Sequence, residues 1–337
     1  MHVVTGATGH IGANLVRALA QAGTPVRALA RTPPPAGLFE GLPVDYRAMD
    51  LAQPASIAPA IEGASVLYHL AGLISITGDQ GGLVHTINVQ GTRHVAQAAL
   101  DQGVQRLVYT SSVQAFDVFA DTPEVTEQSP RPTASAPAYD RSKADSEEVL
   151  AELVSQGLDA VTVYPTGVLG PMDHRPSRFG QGVKDIWEGR VPALLAGHTN
   201  VVDVRDVVQG IMAAAAHGQT GHGYLLSGHP ISIPKLMQMA AEISGTHCPS
   251  LICPMWLARL SAPLAVAWAH MVGAEPLYTH EALRALRANN QISHAKATHE
   301  LGYQPRPLQE TLRDLHHSFY TESTDVDAAT RPPTARQ

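Results

Sequence analysis

The sequence predicts an α/β fold in which a parallel sheet is covered by helices on both faces. Three observations lead to this prediction. An apolar strand at the N-terminus runs into a glycine-rich turn and then into a helix. Further apolar strands alternate with helical stretches as far as about residue 164. The chain of 337 residues is 44% hydrophobic and 16% charged, which is the balance of a globular protein.

The first strand, at 2–5, is followed by the turn 6–12, which reads Gly-Ala-Thr-Gly-His-Ile-Gly. Gly6 permits a tight turn, Gly9 lets backbone N–H groups approach a pyrophosphate, and Gly12 lets the next helix pack closely. The N-terminus of that helix adds a favourable field for an anion. Strand, turn and helix in this order are typical of a doubly wound Rossmann sheet that binds a dinucleotide, although the spacing is G-x-x-G-x-x-G. The alternative is an ordinary turn between strand and helix.

The second strand, at 25–30, ends beside Arg31. An acidic residue at this place would bind the ribose 2′-hydroxyl of NAD. The guanidinium of Arg31 suits a 2′-phosphate instead, so the sequence predicts NADP(H) as the preferred cofactor, with NAD(H) possible. The alternative is a solvated arginine on the surface.

The remaining strands of the sheet are predicted near 44–47, 65–70, 106–110 and 159–164. After Pro165 the pattern becomes irregular, which indicates a smaller, mostly helical substrate domain. The predicted dinucleotide-binding domain is therefore 1–164 plus about 198–228, with another strand at 224–227. The substrate domain is about 165–197 plus 229–320, and the polar segment 321–337 is predicted to be a disordered tail.

Tyr139 precedes Lys143 by four residues in a stretch with helical spacing, so the two side chains share one face of a helix. An ammonium near a phenol favours the phenolate and lowers a pKa that is ordinarily about 10. A tyrosine tuned in this way can give a proton to a carbonyl oxygen or take one from an alcohol. The alternative is a tyrosine and a lysine that are merely neighbours on a helix.

Further motifs follow one another along the chain in a fixed order: Asp50-Leu51, His-Leu-Ala-Gly at 69–72, Asn-Val-Gln-Gly-Thr at 88–92, Tyr-Thr-Ser-Ser at 109–112, Thr-Glu-Gln-Ser-Pro at 126–130, Tyr-Pro-Thr-Gly-Val-Leu-Gly-Pro at 164–171, and Leu-Gly-Tyr-Gln-Pro at 301–305. With the glycine turn and the Tyr139–Lys143 pair, the chain resembles the extended short-chain dehydrogenases/reductases of the epimerase/dehydratase superfamily. Its dihydroflavonol-reductase-like and 3β-hydroxysteroid-dehydrogenase-like branch is the most similar one.

This resemblance implies carbonyl reduction by hydride transfer, or its reverse, on a small and apolar substrate. Tyr139 is the expected general acid/base, Lys143 lowers its pKa and binds the nicotinamide ribose, and Ser112 polarises the substrate oxygen. Ser112 is preferred to Ser111 because the family uses the last hydroxyl of this run. Strand alternation also places the two side chains on opposite faces. Asn88 is expected to hold a water molecule or the geometry of a proton relay.

The residues expected to bind the cofactor are Gly6, Thr8, Gly9, His10, Ile11, Gly12, Arg31, Asp50, Leu51, Leu70, Ala71, Gly72, Tyr139, Lys143, Pro165, Thr166 and Val168. A habit of the family further implies a homodimer, formed through helices at about 88–102 and 139–155.

Composition excludes several other classes of protein. The net charge of −7 argues against nucleic acid as a main partner. Two cysteines cannot form a disulfide framework, and a strand that starts at residue 2 leaves no room for a signal peptide, so a cytoplasmic location is expected. The 17 histidines include no motif with zinc spacing, and no metal is expected.

The stretch 251–273 is apolar and contains Trp256 and Trp268, which raises the question of membrane contact. Pro254, Arg259 and Pro263 interrupt it, whereas a spanning helix needs about 20 mostly apolar residues. A helix of the substrate domain is the preferred interpretation, and membrane contact remains the alternative.

Three other functions compete with a reductase. A nucleotide-sugar epimerase that retains NAD would share these motifs and could use Arg175, Arg178 and Arg205 for a diphosphate. In a sugar dehydratase, relatives carry an Asp-Glu pair after the catalytic hydroxyl, where this chain has Val113-Gln114. A non-enzymatic cofactor-binding sensor could lose the Tyr-Lys pair, which is present here.

Overall fold

A seven-stranded parallel sheet forms the centre of the molecule, in the spatial order 223–226 (β10), 160–165 (β6), 106–110 (β5), 66–69 (β4), 2–5 (β1), 26–30 (β2) and 44–48 (β3). The computed structural model describes residues 1–272 and 279–320, and the predicted tail at 321–337 lies outside them. The strands of this sheet are β1 (His2–Thr5), β2 (Val26–Ala30), β3 (Val44–Ala48), β4 (Val66–His69), β5 (Arg106–Thr110), β6 (Ala160–Pro165) and β10 (Gly223–Leu226). The predicted fold class is therefore confirmed.

Two small sheets complete the strands. They are formed by β7 (Gly167–Leu169), β9 (His198–Asp203) and β11 (His229–Ser232), and by β8 (Leu194–Leu195) and β12 (Ile252–Cys253).

The helices are α1 (His10–Gln21), α2 (Ile57–Ile61), α3 (Leu83–His85), α4 (Gly91–Asp101), α5 (Ala138–Ser155), α6 (Arg178–Trp187), α7 (Val204–His217), α8 (Ile233–Ser244), α9 (Met255–Val272), α10 (His280–Ala285), α11 (Ala295–Leu301) and α12 (Leu308–Tyr320). Short 3₁₀ turns occupy Pro54–Ser56 and Val113–Ala115, and a π-helical segment at Thr86–Gln90 leads into α4.

The sheet buries apolar side chains on both faces, as continuous apolar strands require. One core combines the sheet with α1, α7 and α11, and the other combines it with α2, α4 and α5. The strand order reverses between β1 and β4, because one half of the sheet is built outward from each of them. At such a switch point a crevice opens beyond the carboxyl ends of the strands, and ligands bind there.

Beyond Pro165 the chain builds a separate apolar core from α6, α8 and α12, with Trp187, Leu236 and Leu312 inside it. The strand His198–Asp203 pairs with β7 and β11 rather than with the seven-stranded sheet. This strand nevertheless contributes Val202 to the main core, and the chain continues into α7, which packs against α1. The exact domain boundaries stay a prediction.

The apolar stretch that begins at residue 251 forms β12 and α9. On α9, Ala258 and Ala262 are buried against Leu283, whereas Trp256 and Leu260 are 68% and 70% exposed. Among the described residues there is no helix long and apolar enough to cross a membrane. The side chain of Trp268 and residue Gly273 lie outside the described part of the chain.

Candidate active site

The turn after β1 leaves no space for side chains at two of its glycines. Gly6 has φ +67°, and a Cβ there would lie 2.8 Å from the backbone nitrogen of Ala71. A Cβ on Gly12 would overlap the carbonyl oxygen of Gly6. Gly9 caps α1 without any side-chain hydrogen bond, so the first N–H groups of the helix keep no side-chain acceptor. Such a cradle of free N–H groups fits the pyrophosphate of a dinucleotide.

His10 joins this turn to a distant loop. Its Nε2 lies 3.1 Å from the carbonyl oxygens of both Gly170 and Pro171. Thr8 and Ile11 are half-buried on either side of it. The imidazole of His10 therefore links the start of α1 to the segment that follows β7.

Three candidate residues follow β2 and β3. Arg31 is exposed and makes no hydrogen bond or ion pair with the residues that the structure describes, so its guanidinium is available to a ligand. The Asp50 carboxylate accepts hydrogen bonds from the Ala52 N–H (3.0 Å) and the Gln53 amide (3.3 Å). Leu51 is buried, and a Cβ added to Gly91 would lie 3.1 Å from the Cβ of Leu51.

The chain after β4 lies against the turn and the start of α4. The backbone N–H groups of Leu70 and Ala71 both donate to the Thr5 hydroxyl at 3.1 Å. Gly72 is exposed, and a Cβ there would lie 3.2 Å from Asn88 Oδ1 and 3.8 Å from Lys143 Nζ. A side chain at residue 72 would therefore intrude on the space beside the ammonium.

The candidates Pro165, Thr166 and Val168 lie where the chain leaves β6 and enters β7 of the three-stranded sheet. Pro165 is the last residue of β6, and Val168 lies in β7 opposite Val202. The Thr166 hydroxyl donates to Asn200 Oδ1 at 2.9 Å.

Asn88 lies in the π-helical segment, a feature often found at functional sites. Its amide N–H groups donate to the Leu73 carbonyl (3.0 Å) and to the Ser142 hydroxyl (2.9 Å), and its Oδ1 accepts the Leu73 N–H at 2.7 Å. Both donors are used within the protein. Of the two expected roles, this geometry suits the one in which Asn88 fixes the structure around α5.

The two serines after β5 point in opposite directions, as strand alternation requires. The Ser111 hydroxyl is buried and donates to Glu147 Oε1 at 2.7 Å. The Ser112 hydroxyl is half-buried, accepts the Gln114 N–H at 3.2 Å, and lies close enough to the phenol of Tyr139 to lower its pKa. Ser112 is therefore the serine that lies beside Tyr139.

Tyr139 and Lys143 lie one turn apart near the start of α5. The Lys143 ammonium is buried and donates to the Thr110 carbonyl at 3.0 Å and to the Tyr109 hydroxyl at 3.4 Å. Burial raises the pKa of Tyr139, while the charge of Lys143 and the nearby Ser112 hydroxyl act against this. Lys143 acts on the Tyr139 pKa in the expected direction, but desolvation outweighs the lysine and the net shift is upward. The phenol therefore carries its proton at neutral pH.

The motif analysis missed Glu147, which stands one further turn along the same face of α5. Its carboxylate accepts hydrogen bonds from Ser111 and from Tyr164 (2.8 Å) and pairs with Arg131 at 2.7 Å. Burial raises the pKa of Glu147, and the Arg131 guanidinium opposes that shift. The spacing of Tyr139, Lys143 and Glu147 at i, i+4 and i+8 was the signal that could have identified it.

The site thus offers a protonated phenol, a hydroxyl beside it and a buried ammonium behind it, all at the carboxyl edge of the sheet. These groups can donate a hydrogen bond and a proton to a single oxygen atom. In the described residues, no group of three or more His, Cys, Asp or Glu side chains could hold a metal ion.

Comparison with known proteins gives a consistent family. A model of the NAD dependent epimerase/dehydratase family matches residues 2–227. The chain is 34% identical over 317 residues to sterol demethylase protein B of Methylococcus capsulatus, covering 93% of this chain and 96% of that protein. It is 31% identical over 326 residues to a putative dihydroflavonol 4-reductase of Synechocystis, covering 94% and 93% of the two chains.

Solved structures agree with these relatives. The crystal structure of gox2253 has a TM-score of 0.82 and 30% sequence identity, and covers 96% of this chain and 98% of that one. A UDP-glucose 4-epimerase of Thermus thermophilus, solved with NAD, has a TM-score of 0.75 at 20% identity over 95% and 99% of the chains, a likeness that shows the fold alone. From the family match and these relatives, the chain belongs to the NAD-dependent epimerase/dehydratase family, the extended short-chain dehydrogenases/reductases, and is an enzyme.

Proposed function

We propose that the protein is an NADP(H)-preferring oxidoreductase that reduces a carbonyl group of a small apolar substrate, or oxidises the matching alcohol. The observation that carries this proposal is the convergence of Ser112, Tyr139 and Lys143 at the edge of the sheet beside the glycine turn. The relatives at 34% and 31% identity are named for sterol and dihydroflavonol chemistry, which supports an apolar substrate with fused or linked rings.

The cofactor would lie across the switch point between β1 and β4. The N–H groups of the first turn of α1 would hold its pyrophosphate, and Arg31 would hold the 2′-phosphate. When bound, the nicotinamide supplies or accepts the hydride. The structural fit rests on the cradle at Gly6 and Gly12, which side chains would fill.

In the direction of reduction, Ser112 donates a hydrogen bond to the substrate carbonyl oxygen as negative charge develops there. Tyr139 transfers its phenolic proton to the same oxygen. Lys143, one helical turn away, stabilises the resulting phenolate by its charge. The raised pKa of Tyr139 keeps the phenolic proton available for this step.

The main alternative is a nucleotide-sugar epimerase that retains NAD. Of the three arginines that could serve a diphosphate, Arg205 donates to Asp203 at 2.7 Å and to Asp314 at 2.6 Å. Its guanidinium is committed to these two carboxylates, which favours the reductase. Arg175 is exposed and could still meet a charged substrate.

The other two alternatives have less support. A dehydratase needs an acid and a base for water elimination, and the 3₁₀ turn after Ser112 begins with Val113-Gln114. A sensor that only binds the cofactor has no need for a buried ammonium next to a tyrosine, and burying an ionised group costs free energy. A cytoplasmic location and a homodimer belong to the same proposal.

The proposal is tested by following NADPH oxidation at 340 nm with a panel of aldehydes, ketones, steroid ketones and flavanones, beside UDP-sugars assayed for epimerisation. Turnover of an apolar carbonyl compound with stoichiometric NADPH oxidation supports it. Epimerisation of a UDP-sugar without net cofactor oxidation would replace it with the alternative.

A further inference from the structure

Lys143 has a buried polar neighbour that the proposed chemistry does not use. Its ammonium is 6% exposed, and the Tyr109 hydroxyl is one of only two described groups to which it donates a hydrogen bond. The ammonium also lies 5.0 Å from the centre of the Tyr109 ring. Tyr109 is itself buried on β5.

A series of buried side chains continues from Tyr109 to the glycine turn. The His69 ring packs against the Tyr109 ring with 5.6 Å between their centroids, and His69 Nε2 lies 3.1 Å from Thr92 Oγ1. His69 Nδ1 lies 2.8 Å from the Thr5 hydroxyl. Thr5 is the last residue of β1, immediately before Gly6.

The hydrogen atoms along this series can be assigned from the bonds. Thr5 Oγ1 already accepts two N–H groups, from Leu70 and Ala71, so its own proton points to His69 Nδ1. His69 therefore carries its proton on Nε2 and donates it to Thr92. Burial lowers the pKa of His69 to about 3, so the ring is neutral and this tautomer persists at every physiological pH.

We propose that the Tyr109 hydroxyl is the positioning group for the Lys143 ammonium, and that the hydrogen-bonded group of Thr5, His69 and Thr92 holds Tyr109 in place through the packing of the His69 ring against the Tyr109 ring. The inference rests on the proposed function, in which Lys143 stabilises the Tyr139 phenolate. It adds a connection between the turn that would bind the pyrophosphate and the lysine that acts on Tyr139.

The charged and titratable groups around the ammonium allow us to predict how the Lys143 pKa changes when the Tyr109 hydroxyl is removed. Tyr139 and Glu147 face it from α5, Tyr109 from β5 and His69 from β4. Because the Tyr109 oxygen accepts a hydrogen bond from the charged form, its removal leaves the burial of Lys143 less compensated. The loss of one hydrogen bond to an ionised group corresponds to a pKa lower by about one unit.

The test is an NMR titration of the intact protein labelled at lysine, without cofactor or substrate. The chain has four lysines, so four side-chain signals are expected, and the Lys143→Arg variant assigns the one of interest. Tyr109→Phe keeps the ring and removes only the hydroxyl. We expect the Lys143 midpoint to fall by about one pH unit in Tyr109→Phe, and by a smaller amount in the same direction in Thr92→Val.

Tyr68→Phe is the matched control. Tyr68 is a fully buried tyrosine on the neighbouring strand β4, and its hydroxyl bonds to His2 instead of Lys143. The Lys143 midpoint should be unchanged in this variant. An unchanged midpoint in Tyr109→Phe, or an equal fall in Tyr68→Phe, would overturn the inference. If circular dichroism shows that Tyr109→Phe does not fold, Thr92→Val decides, and an unchanged midpoint there overturns the inference.

Activity provides the second readout. With a substrate from the panel, the alkaline limb of the kcat profile should move to lower pH in Tyr109→Phe, and it should stay in place in Tyr68→Phe. If the Lys143 midpoint shifts but the protein has no reductase activity, the proposed function is wrong and the inference about Tyr109 stands. Reductase activity with an unshifted midpoint would remove this inference alone.

Discussion

At the residue scale, burial sets the protonation states of the groups near Tyr139. Asp140, the next residue, is largely buried and lies 3.6 Å from Arg284 of α10. Burial raises the pKa of Asp140 to about 7, although Arg284 opposes the shift and Glu281 adds to it. The start of α5 therefore carries an acid that can titrate near neutrality beside the proposed proton donor.

This acid gives a prediction about stability. Between pH 4 and 7 the unfolded chain loses the Asp140 proton, because the ordinary pKa is 3.8, whereas the folded protein keeps it. The folded state binds more protons in this range, so the free energy of unfolding falls as the pH rises, by at most about 4 kcal/mol. In Asp140→Asn this contribution is absent. Urea unfolding at pH 4.5 and 7.5 should show a smaller decrease for the variant, and equal decreases would show that Asp140 titrates normally.

Arg31 gives a second prediction at this scale. If its guanidinium binds the 2′-phosphate, Arg31→Ala should weaken NADPH binding about tenfold or more through the loss of a charge-assisted contact, and leave NADH binding unchanged. Fluorescence titration with both cofactors measures this. Arg47→Ala, at a half-exposed arginine of β3, is the control. Equal affinity of the wild type for NADH and NADPH would remove Arg31 from the account.

At the scale of elements, the contact between the turn and α1 depends on Gly12. A methyl group at Gly12 meets the backbone of the turn itself, which cannot move aside as a flexible side chain can. The helix would have to shift away from β1, and with it the N–H groups that face the crevice.

We therefore predict that Gly12→Ala lowers the free energy of unfolding by about 1–3 kcal/mol and weakens cofactor binding. Gly182→Ala is the matched control, because Gly182 lies inside α6 and the nearest atom to an added Cβ is 3.6 Å away. That variant should be neutral or up to about 1 kcal/mol more stable, since alanine favours a helix. Urea unfolding compares the two, and equal destabilisation would refute the steric argument.

The elements also show which features a sequence can reveal. The strands and the glycine turn were predictable because their signals are local. The sheet to which His198–Asp203 belongs was not, because an apolar strand has the same pattern in either sheet and its partners β7 and β11 are distant in sequence. The Arg131–Glu147 pair and the net pKa of Tyr139 depend on tertiary burial, which no motif encodes.

At the scale of the whole molecule, two surfaces could support association. The predicted homodimer uses α4 and α5, whose outer faces are joined by the Arg93–Glu152 pair at 2.8 Å. Among the described residues, none of the large hydrophobic side chains that are exposed lies in these two helices. Several of them lie between residues 251 and 271 instead, including Trp256 and Leu260. Exposed apolar patches often mark interaction sites.

Size-exclusion chromatography with light scattering distinguishes the two surfaces. We predict a dimer that Arg93→Glu converts to a monomer, because the substitution replaces the Arg93–Glu152 ion pair with like charges on the surface that α4 and α5 would bury in the dimer. Trp256→Glu should leave the dimer intact. Dissociation by Trp256→Glu alone would move the interface to the surface around α9, and a monomeric wild type would exclude the dimer.

The central claim is that Tyr139 supplies the proton in an NADP(H)-dependent carbonyl reduction. The most direct measurement compares the wild type with Tyr139→Phe under single-turnover conditions, with NADPH and a ketone accepted by the wild type. The account predicts a decrease in the rate of at least 100-fold, the typical contribution of general acid catalysis, with NADPH affinity unchanged. A rate in Tyr139→Phe within a few-fold of the wild type would contradict it, because the proton would then come from another group.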